Sequence, residues 1–235
     1  MLPLSDHNPI RTTPVVNYVL IAANVLVFLW ELSLGPANIE HELVLVSFVP
    51  ARFWVAPFYP PNMLRILISM FLHAGWLHLG GNMLYLWIFG DNIEDRLGHF
   101  KYVIFYVLCG TIATLTHAVM NPASRIPSLG ASGAIAGVLR AYILLFPKAQ
   151  VTTLIPIFVF VTIREIPAIL VLGLWFVLQL FVGVASVGVP EAQNSGGVAY
   201  FAHIGGFVAG MLLVVLMGGY RQKRLPPTTF DERWR

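Results

Sequence analysis

The sequence predicts an all-α membrane protein built from six transmembrane helices. Of its 235 residues, 57% are hydrophobic and 11% are charged, whereas a soluble domain carries about 25% charged residues. A soluble chain this apolar could not cover its surface with polar groups. Apolar segments of the length needed to cross a hydrocarbon core of about 30 Å, or close to it, lie at 15–34, 78–93, 101–119, 132–146, 166–186 and 198–218.

The basic residues give these helices an orientation. With the N-terminus in the cytoplasm, ten Lys and Arg residues lie on the inner side and three on the outer side, as the positive-inside rule requires. The apolar stretch 151–163 contains Pro156 and is too short to span, so we expect it to be interfacial or buried. We therefore predict a cytoplasmic N-terminal segment at 1–14, a membrane domain at 15–219 and a basic cytoplasmic tail at 220–235.

The first apolar run is longer than the roughly 7–15 residues of a signal-peptide core, so we expect a transmembrane helix there and not a cleaved signal peptide. The six predicted helices together make the protein multi-pass. In the absence of a targeting segment, a prokaryotic plasma membrane with both termini cytoplasmic is the expected location. Lys and Arg lie singly between apolar runs, so we expect the lipid bilayer and not a nucleic acid as partner. The single Cys109 excludes an internal disulfide and a multi-cysteine metal site. We expect no metal and no cofactor, and the sequence does not determine an oligomeric state.

The connection at 35–65 is rich in proline and in aromatic residues. Aromatic rings concentrate at the membrane–water interface, so one interpretation places this connection in the outer interface. An ordinary external loop fits the composition equally well.

Ser132 is a candidate nucleophile. A helix from Ser132 to Phe146 would span about 22 Å at 1.5 Å per residue, which places Ser132 below the outer edge of a core about 30 Å thick. Backbone N–H groups at a helix start lack intrahelical partners and can bind an anion. A serine that only caps the helix is the structural alternative.

His203 is the candidate general base, because it lies near the outer end of the last predicted helix, at a depth close to that of Ser132. Small residues recur four apart on both helices, at Gly133 and Gly137 and at Gly206 and Gly210. Such spacing lets two helix backbones approach closely. We therefore expect His203 to reach Ser132, although a histidine with a purely packing role is the alternative.

His78 and Asn82 are candidate donors to an oxyanion. They are four residues apart and so share one helix face, and their side chains are of the kind that stabilises a tetrahedral intermediate. Interhelical hydrogen bonding without catalysis is the alternative. We expect His73 to be structural, and we assign no partner to His117.

Together these residues resemble the rhomboid family of intramembrane serine proteases. No single motif is specific, but their order and their placement on successive helices are. The segments that carry the resemblance are 73–83 (HAGWLHLGGNM), 89–95 (FGDNIED), 130–133 (GASG) and 202–206 (AHIGG).

The resemblance implies a six-transmembrane-helix rhomboid-like bundle that hydrolyses peptide bonds in or near transmembrane helices of membrane proteins. Ser132 is then the nucleophile and His203 the base of a Ser–His dyad, with His78, Asn82 and the backbone N–H of Ser132 as oxyanion donors. It also implies that the fifth helix and the following loop, about 184–197, form a gate and cap.

Two positions depart from patterns known in the family. Some members carry an aromatic residue one turn after the nucleophile, packed on the catalytic histidine, and here that position is Ala136. Arg140 lies in the middle of its helix where a small residue is usual. Snorkelling of its side chain to the inner interface is the expectation, and a buried charge that interacts with the substrate or the gate is the alternative.

Two other functions are compatible with parts of the pattern. One is a rhomboid-like protein that binds membrane proteins without cutting them, which the presence of both Ser132 and His203 disfavours. The other is a small transporter or channel lined by His78, Asn82 and His203, which the lack of a deep acidic residue disfavours.

Overall fold

A computed structural model describes residues 1–35, 37–157, 160–185 and 199–220. Within these ranges the chain forms nine helices and a three-stranded sheet. The helices are α1 (Val15–Ser33), α2 (Ile39–Val46), α3 (Pro50–Val55), α4 (Pro60–Ser69), α5 (Trp76–Leu97), α6 (His99–Met120), α7 (Ser132–Leu145), α8 (Ala168–Ala185) and α9 (Tyr200–Leu216). The strands are β1 (Leu2–Asp6), β2 (Gln150–Ile157) and β3 (Phe160–Pro167).

The predominantly helical structure fits an all-α membrane fold, and each of the six predicted segments contains a helix. By length and hydropathy, α1 and α6 are long and apolar enough to cross a membrane, while α7 and α9 are shorter apolar helices. The predicted helix at 78–93 begins earlier and runs to Leu97. The next residue, Gly98, has a φ of 78°, in the region that favours glycine. This conformation lets α5 turn directly into α6.

The structure also contains a sheet, which the sequence did not predict. The stretch 151–163, expected to be interfacial or buried, supplies most of β2 and the first half of β3. These strands pair antiparallel from Gln150 opposite Pro167 to Ile157 opposite Phe160, and β1 adds to β2 with Leu2 opposite Leu154. The stretch is rich in Val, Ile, Thr and Phe, which favour strands. Hydropathy alone does not distinguish such a strand from a short apolar helix.

The connections between helices gather at two ends of the bundle. At one end, the β1–β2 pairing joins the N-terminal segment to the α7–α8 connection, and Lys101 Nζ donates to the carbonyl oxygen of Met217 at 2.8 Å. At the other end, Phe48 pairs with Ser128, which joins the α1–α5 connection to the α6–α7 connection. The helices α1 and α5–α7 therefore run alternately between the two ends.

The connection from 35 to 75 contains three short helices. Arg52 donates to the carbonyl oxygens of Val44 and Ser47, and Arg65 donates to that of Leu45. These arginines satisfy carbonyl groups that the end of α2 leaves without intrahelical donors. The side chains of Val55 and Phe58 are 86% and 91% exposed, so this connection presents apolar groups outward.

The C-terminal end of α5 holds the start of α1. The Glu94 carboxylate accepts the backbone N–H groups of Val16 at 2.9 Å and Asn17 at 2.7 Å, and Asp95 accepts those of Arg11 and Thr12. Carboxylates are favoured at a helix N-terminus, where N–H groups are unpaired and the helix dipole is positive. Glu94 and Asp95, at the end of the segment 89–95, therefore fix the position of the chain where α1 begins.

The buried helix α7 lies at the centre of the bundle, against α6 and α9. A Cβ atom added to Gly206 would lie 1.9 Å from the carbonyl oxygen of Gly133, and one added to Gly210 would lie 2.2 Å from that of Gly137. The backbones of α7 and α9 are therefore in direct contact. This confirms the close approach predicted from the spacing of small residues.

Hydrogen bonds of the Asp6 carboxylate join β1 to α5 and α7. Asp6 Oδ2 accepts hydrogen bonds from the hydroxyl group of Tyr142 at 2.6 Å and from Asn92 Nδ2 at 3.2 Å. Burial raises the pKa of Asp6 above its ordinary value of 3.8, and the hydrogen bonds oppose this only in part. The folded state therefore binds the Asp6 proton more tightly than the unfolded chain does, so the contribution of Asp6 to stability falls as the pH rises above about 4.

Substitutions of Asp6 are expected to reveal this balance. Asp6→Asn, which keeps the acceptor without the charge, should have a free energy of unfolding that varies less with pH and is at least that of the wild type at pH 8. Asp6→Ala should cost about 1–3 kcal/mol, because the Tyr142 hydroxyl group loses its acceptor. Unfolding in detergent at pH 5 and pH 8 measures both effects. Glu165→Ala, at an exposed position on β3, is the control, and an alanine variant as stable as the wild type at both pH values would contradict this role.

Candidate active site

Ser132 is the first residue of α7, and the loop before it is docked against the α1–α5 connection. The Ser128 N–H donates to the carbonyl oxygen of Phe48, and the Gly130 N–H to that of Ser69, both at 2.8 Å. The first backbone hydrogen bond of α7 runs from Ile135 to Ala131. Ser132 therefore begins a helix whose first N–H groups have no partner one turn earlier.

Ser132 Oγ and His203 Nε2 are 2.7 Å apart. This is the distance of a normal hydrogen bond to a hydroxyl group. His203 lies in the first turn of α9 and is 5% exposed, while Ser132 is partly exposed. The contact follows from the packing of α7 on α9, which places the two helix starts side by side.

His78 and Asn82, both on α5, meet the loop two residues before Ser132. A Cβ atom at Gly130 would lie 2.7 Å from His78 Nε2 and 3.7 Å from Asn82 Nδ2. Gly130 also has a φ of 120°, a conformation that L side chains rarely adopt. Glycine is therefore required here on two grounds, and both side chains pack directly on the backbone that leads to Ser132.

The hydrogen bonds around His73 fix its tautomer and orient Asn82. His73 Nδ1 is 3.2 Å from the carbonyl oxygen of Phe71, so Nδ1 carries the proton and Nε2 is an acceptor. Asn82 Nδ2 then donates one hydrogen to His73 Nε2 at 3.0 Å, and its second N–H lies on the same nitrogen, near Gly130. The backbone N–H of His73, separately from its ring, donates to the buried Glu31 carboxylate at 3.1 Å.

A weaker contact assigns the tautomer of His78. The backbone N–H of Ala74 donates to His78 Nδ1 at 3.4 Å, which leaves the proton on Nε2, the atom close to Gly130. Both α5 side chains thus present an N–H group beside the loop. His78 and His117 also lie near enough to His203 to interact with it electrostatically.

The sequence-predicted residues therefore fall into one cluster. Ser132 contacts His203, while His78 and Asn82 pack on Gly130. His73, expected to be structural, is buried and bonded to Asn82, so it also supports the cluster. His117 lies near Asn121 at the end of α6, with 3.5 Å between His117 Nδ1 and Asn121 Nδ2.

Comparison with known proteins supplies the family. A model of the rhomboid domain matches residues 60–220, more than half of the chain. The chain belongs to the rhomboid family. Its site cluster lies wholly within this match, except for Glu31.

Curated relatives agree with this assignment. The chain is 31% identical over 200 residues to the mitochondrial rhomboid protein 1 of Saccharomyces cerevisiae, covering 83% of this chain and 51% of that protein. It is 29% identical over 216 residues to the rhomboid protease GluP of Bacillus subtilis, covering 87% and 35%. It is 27% identical over 177 residues to the chloroplastic rhomboid-like protein 11 of Arabidopsis thaliana, covering 73% and 57%. The chain thus spans about a third to just over half of the length of these relatives.

In this rhomboid, an aromatic ring from a different helix stands beside His203. The indole of Trp175 on α8 lies 5.5 Å from the His203 ring, with an interplanar angle of 38°. Ala136, one turn after Ser132, is fully buried and supplies no ring. The sequence did not reveal Trp175 as a neighbour of the site. One signal was available, because Trp175 lies in the middle of an apolar helix and not at the interface where tryptophan concentrates.

Arg140 does not extend toward the inner interface as expected. Its guanidinium carbon lies 5.2 Å from the ring centroid of Phe207, and Nη2 is 3.1 Å from Met211 Sδ. Both partners are on α9. Because Gly206 and Gly210 lie against Gly133 and Gly137, Phe207 and Met211 are closer to the start of α9 than the level of Arg140 is. A cation–π contact thus replaces the predicted snorkelling. The part of the predicted cap from residue 186 to 197 lies outside the described residues, as does the tail after Tyr220.

Proposed function

We propose that this chain is an intramembrane serine endopeptidase that hydrolyses peptide bonds in or near transmembrane helices of membrane proteins. The observation that carries the proposal is the 2.7 Å contact between Ser132 Oγ and His203 Nε2 at the start of α7. Membership of the rhomboid family, which includes the protease GluP, supports a protease in the membrane.

The proposed reaction follows the chemistry of a Ser–His dyad. His203 Nε2 accepts the proton of Ser132 as Oγ attacks the scissile carbonyl carbon, and a tetrahedral oxyanion forms. His203 then gives that proton to the leaving amine, and an acyl-enzyme remains on Ser132. A water molecule, activated by the same imidazole, hydrolyses the ester and regenerates the hydroxyl group.

Three groups are proposed as donors to the oxyanion. They are His78 Nε2, the free N–H of Asn82 and the backbone N–H of Ser132. In support of the first two, His78 and Asn82 lie against Gly130, two residues before Ser132. Donors fixed in advance stabilise developing charge without reorganising during the reaction.

The six-span topology with both termini cytoplasmic is part of the proposal. The pairing of β1 with β2 and of Phe48 with Ser128 supports it, because each joins connections that this topology places on one side. Single cysteines in a Cys109→Ala background should label from the inside near Arg96 and from the outside near Ser128. Labelling of the 220–235 tail from the outside would overturn the topology.

The compartment is a separate question. The relatives include proteins named as mitochondrial and chloroplastic as well as one from Bacillus subtilis. They therefore do not favour a prokaryotic plasma membrane over an organelle membrane. The family supports an integral membrane protein.

A fluorophosphonate serine-hydrolase probe tests the activity directly. We expect the purified protein in detergent to become labelled on Ser132, and to cleave members of a panel of single-span membrane proteins after reconstitution. Binding of panel members without cleavage or labelling would instead indicate a rhomboid-like binding protein. Proton or solute flux without labelling would indicate a transporter.

A further inference from the structure

The orientation of the His203 ring is a requirement of the proposed reaction, on which this inference rests. The hydrogen bond to Ser132 fixes one ring atom, Nε2. Proton transfer also requires the imidazole plane to be directed at Oγ, and a misplacement of about 1 Å can cost about 10²-fold in rate. The face of α7 opposite this ring does not supply an aromatic support, because the residue one turn after Ser132 is Ala136.

Helix α8 supplies aromatic contacts at this level of the bundle. The Trp175 and His203 rings are 5.5 Å apart, within the range of about 4.5–7 Å over which aromatic pairs attract. The next residue, Phe176, stacks on Phe207 with ring centroids 3.7 Å apart and planes within 9°. Phe207 is one turn after His203 on α9. Two adjacent α8 residues, Trp175 and Phe176, therefore contact two α9 rings that lie one turn apart.

The two contacts differ in what they touch. Trp175 packs on the proposed base itself, whereas the stack of Phe176 on Phe207 continues to the guanidinium of Arg140 and does not include a dyad member. Both hold α8 against α9, but only the first bears on the imidazole. The chain therefore offers a matched pair of neighbouring aromatic residues with one difference between them.

We propose that Trp175 is a positioning residue that holds the His203 imidazole in the orientation in which Nε2 faces Ser132. The ring takes, from α8, the place of the aromatic residue that Ala136 does not provide on α7. Its removal should therefore slow the reaction of Ser132 with the scissile carbonyl, and also its reaction with a small fluorophosphonate probe, which bonds Oγ to phosphorus with loss of fluoride and need not enter as a helix.

The test compares Trp175→Leu and Trp175→Phe with Phe176→Leu, using the full chain in detergent. The labelling rate with the fluorophosphonate probe should fall about tenfold or more in Trp175→Leu, and kcat for a membrane substrate should fall with KM unchanged. Trp175→Phe should recover most of the rate. Phe176→Leu should lower the thermal midpoint of unfolding but keep the labelling rate within about twofold, since it does not touch His203.

If Trp175→Leu does not fold, Trp175→Met replaces it, because methionine fills irregular space without a ring, and the same fall is expected. A folded Trp175→Leu or Trp175→Met protein that labels at the wild-type rate overturns the inference. Equal losses in Trp175→Leu and Phe176→Leu also overturn it, because they would indicate general packing. Failure of the proposed function looks different, since the wild-type protein would then label no faster than Ser132→Ala.

Discussion

Ser132→Ala is expected to abolish both probe labelling and substrate cleavage while the protein stays folded. The variant removes the proposed attacking oxygen, which lies 2.7 Å from His203 Nε2. Loss of a catalytic serine or histidine costs about 10⁶-fold in kcat where it has been measured in a serine protease. His203→Ala should therefore be comparably inactive, because Ser132 would lose the base that accepts its proton.

Matched controls separate this loss from unfolding. Ser128→Ala removes a hydroxyl group four residues earlier on the same loop, whose docking depends on the backbone N–H of Ser128, and should retain activity. His117→Ala removes a histidine near His203 that is not bonded to Ser132, and should also remain active. Thermal unfolding in detergent reports folding for all four variants. Substantial cleavage by purified Ser132→Ala protein would refute the assignment of the nucleophile.

The positions of the long helices could be predicted because hydropathy and helix length measure the same physical constraint. The starts of α7 at Ser132 and of α9 at Tyr200 lie within a few residues of the predicted ones. The strands β2 and β3 were missed because their apolar residues resemble part of a membrane segment, although each strand is too short to span a membrane. Pairing of β1 with β2 joins residues about 150 positions apart, and no local pattern encodes that.

Ser132, His203, His78 and Asn82 could be chosen from the sequence because each is a polar residue where an apolar one costs less. Their supports could not. Glu31 and His73 meet through a loop, and Trp175 meets His203 across two helices, so none has a helical spacing that predicts the contact. Apolar and aromatic supports also carry no polar signal in a chain that is 57% hydrophobic. The structure is needed to see which of many such residues lies against the site.

The proposed oxyanion donors give the second large effect. His78→Ala and Asn82→Ala should each lower kcat about 10²–10³-fold, the loss measured for one donor elsewhere, because each removes a hydrogen bond that strengthens in the transition state. The double variant should lose more than either single variant. Because the donor acts on the transition state, KM should change little.

Two hydrogen bonds of His73 make this prediction sharper. Its backbone N–H donates to Glu31, and its ring Nε2 accepts from Asn82. Asn82→Asp keeps the size of the side chain but has no N–H donor when ionised, so it should be about as slow as Asn82→Ala. Glu31→Gln keeps an acceptor for the His73 N–H and should retain most activity. His41→Ala, at an exposed position on α2, controls for loss of a histidine. Wild-type turnover in His78→Ala, Asn82→Ala and the double variant together would show that these side chains serve packing alone, because three intact rates leave no oxyanion stabilisation for them to provide.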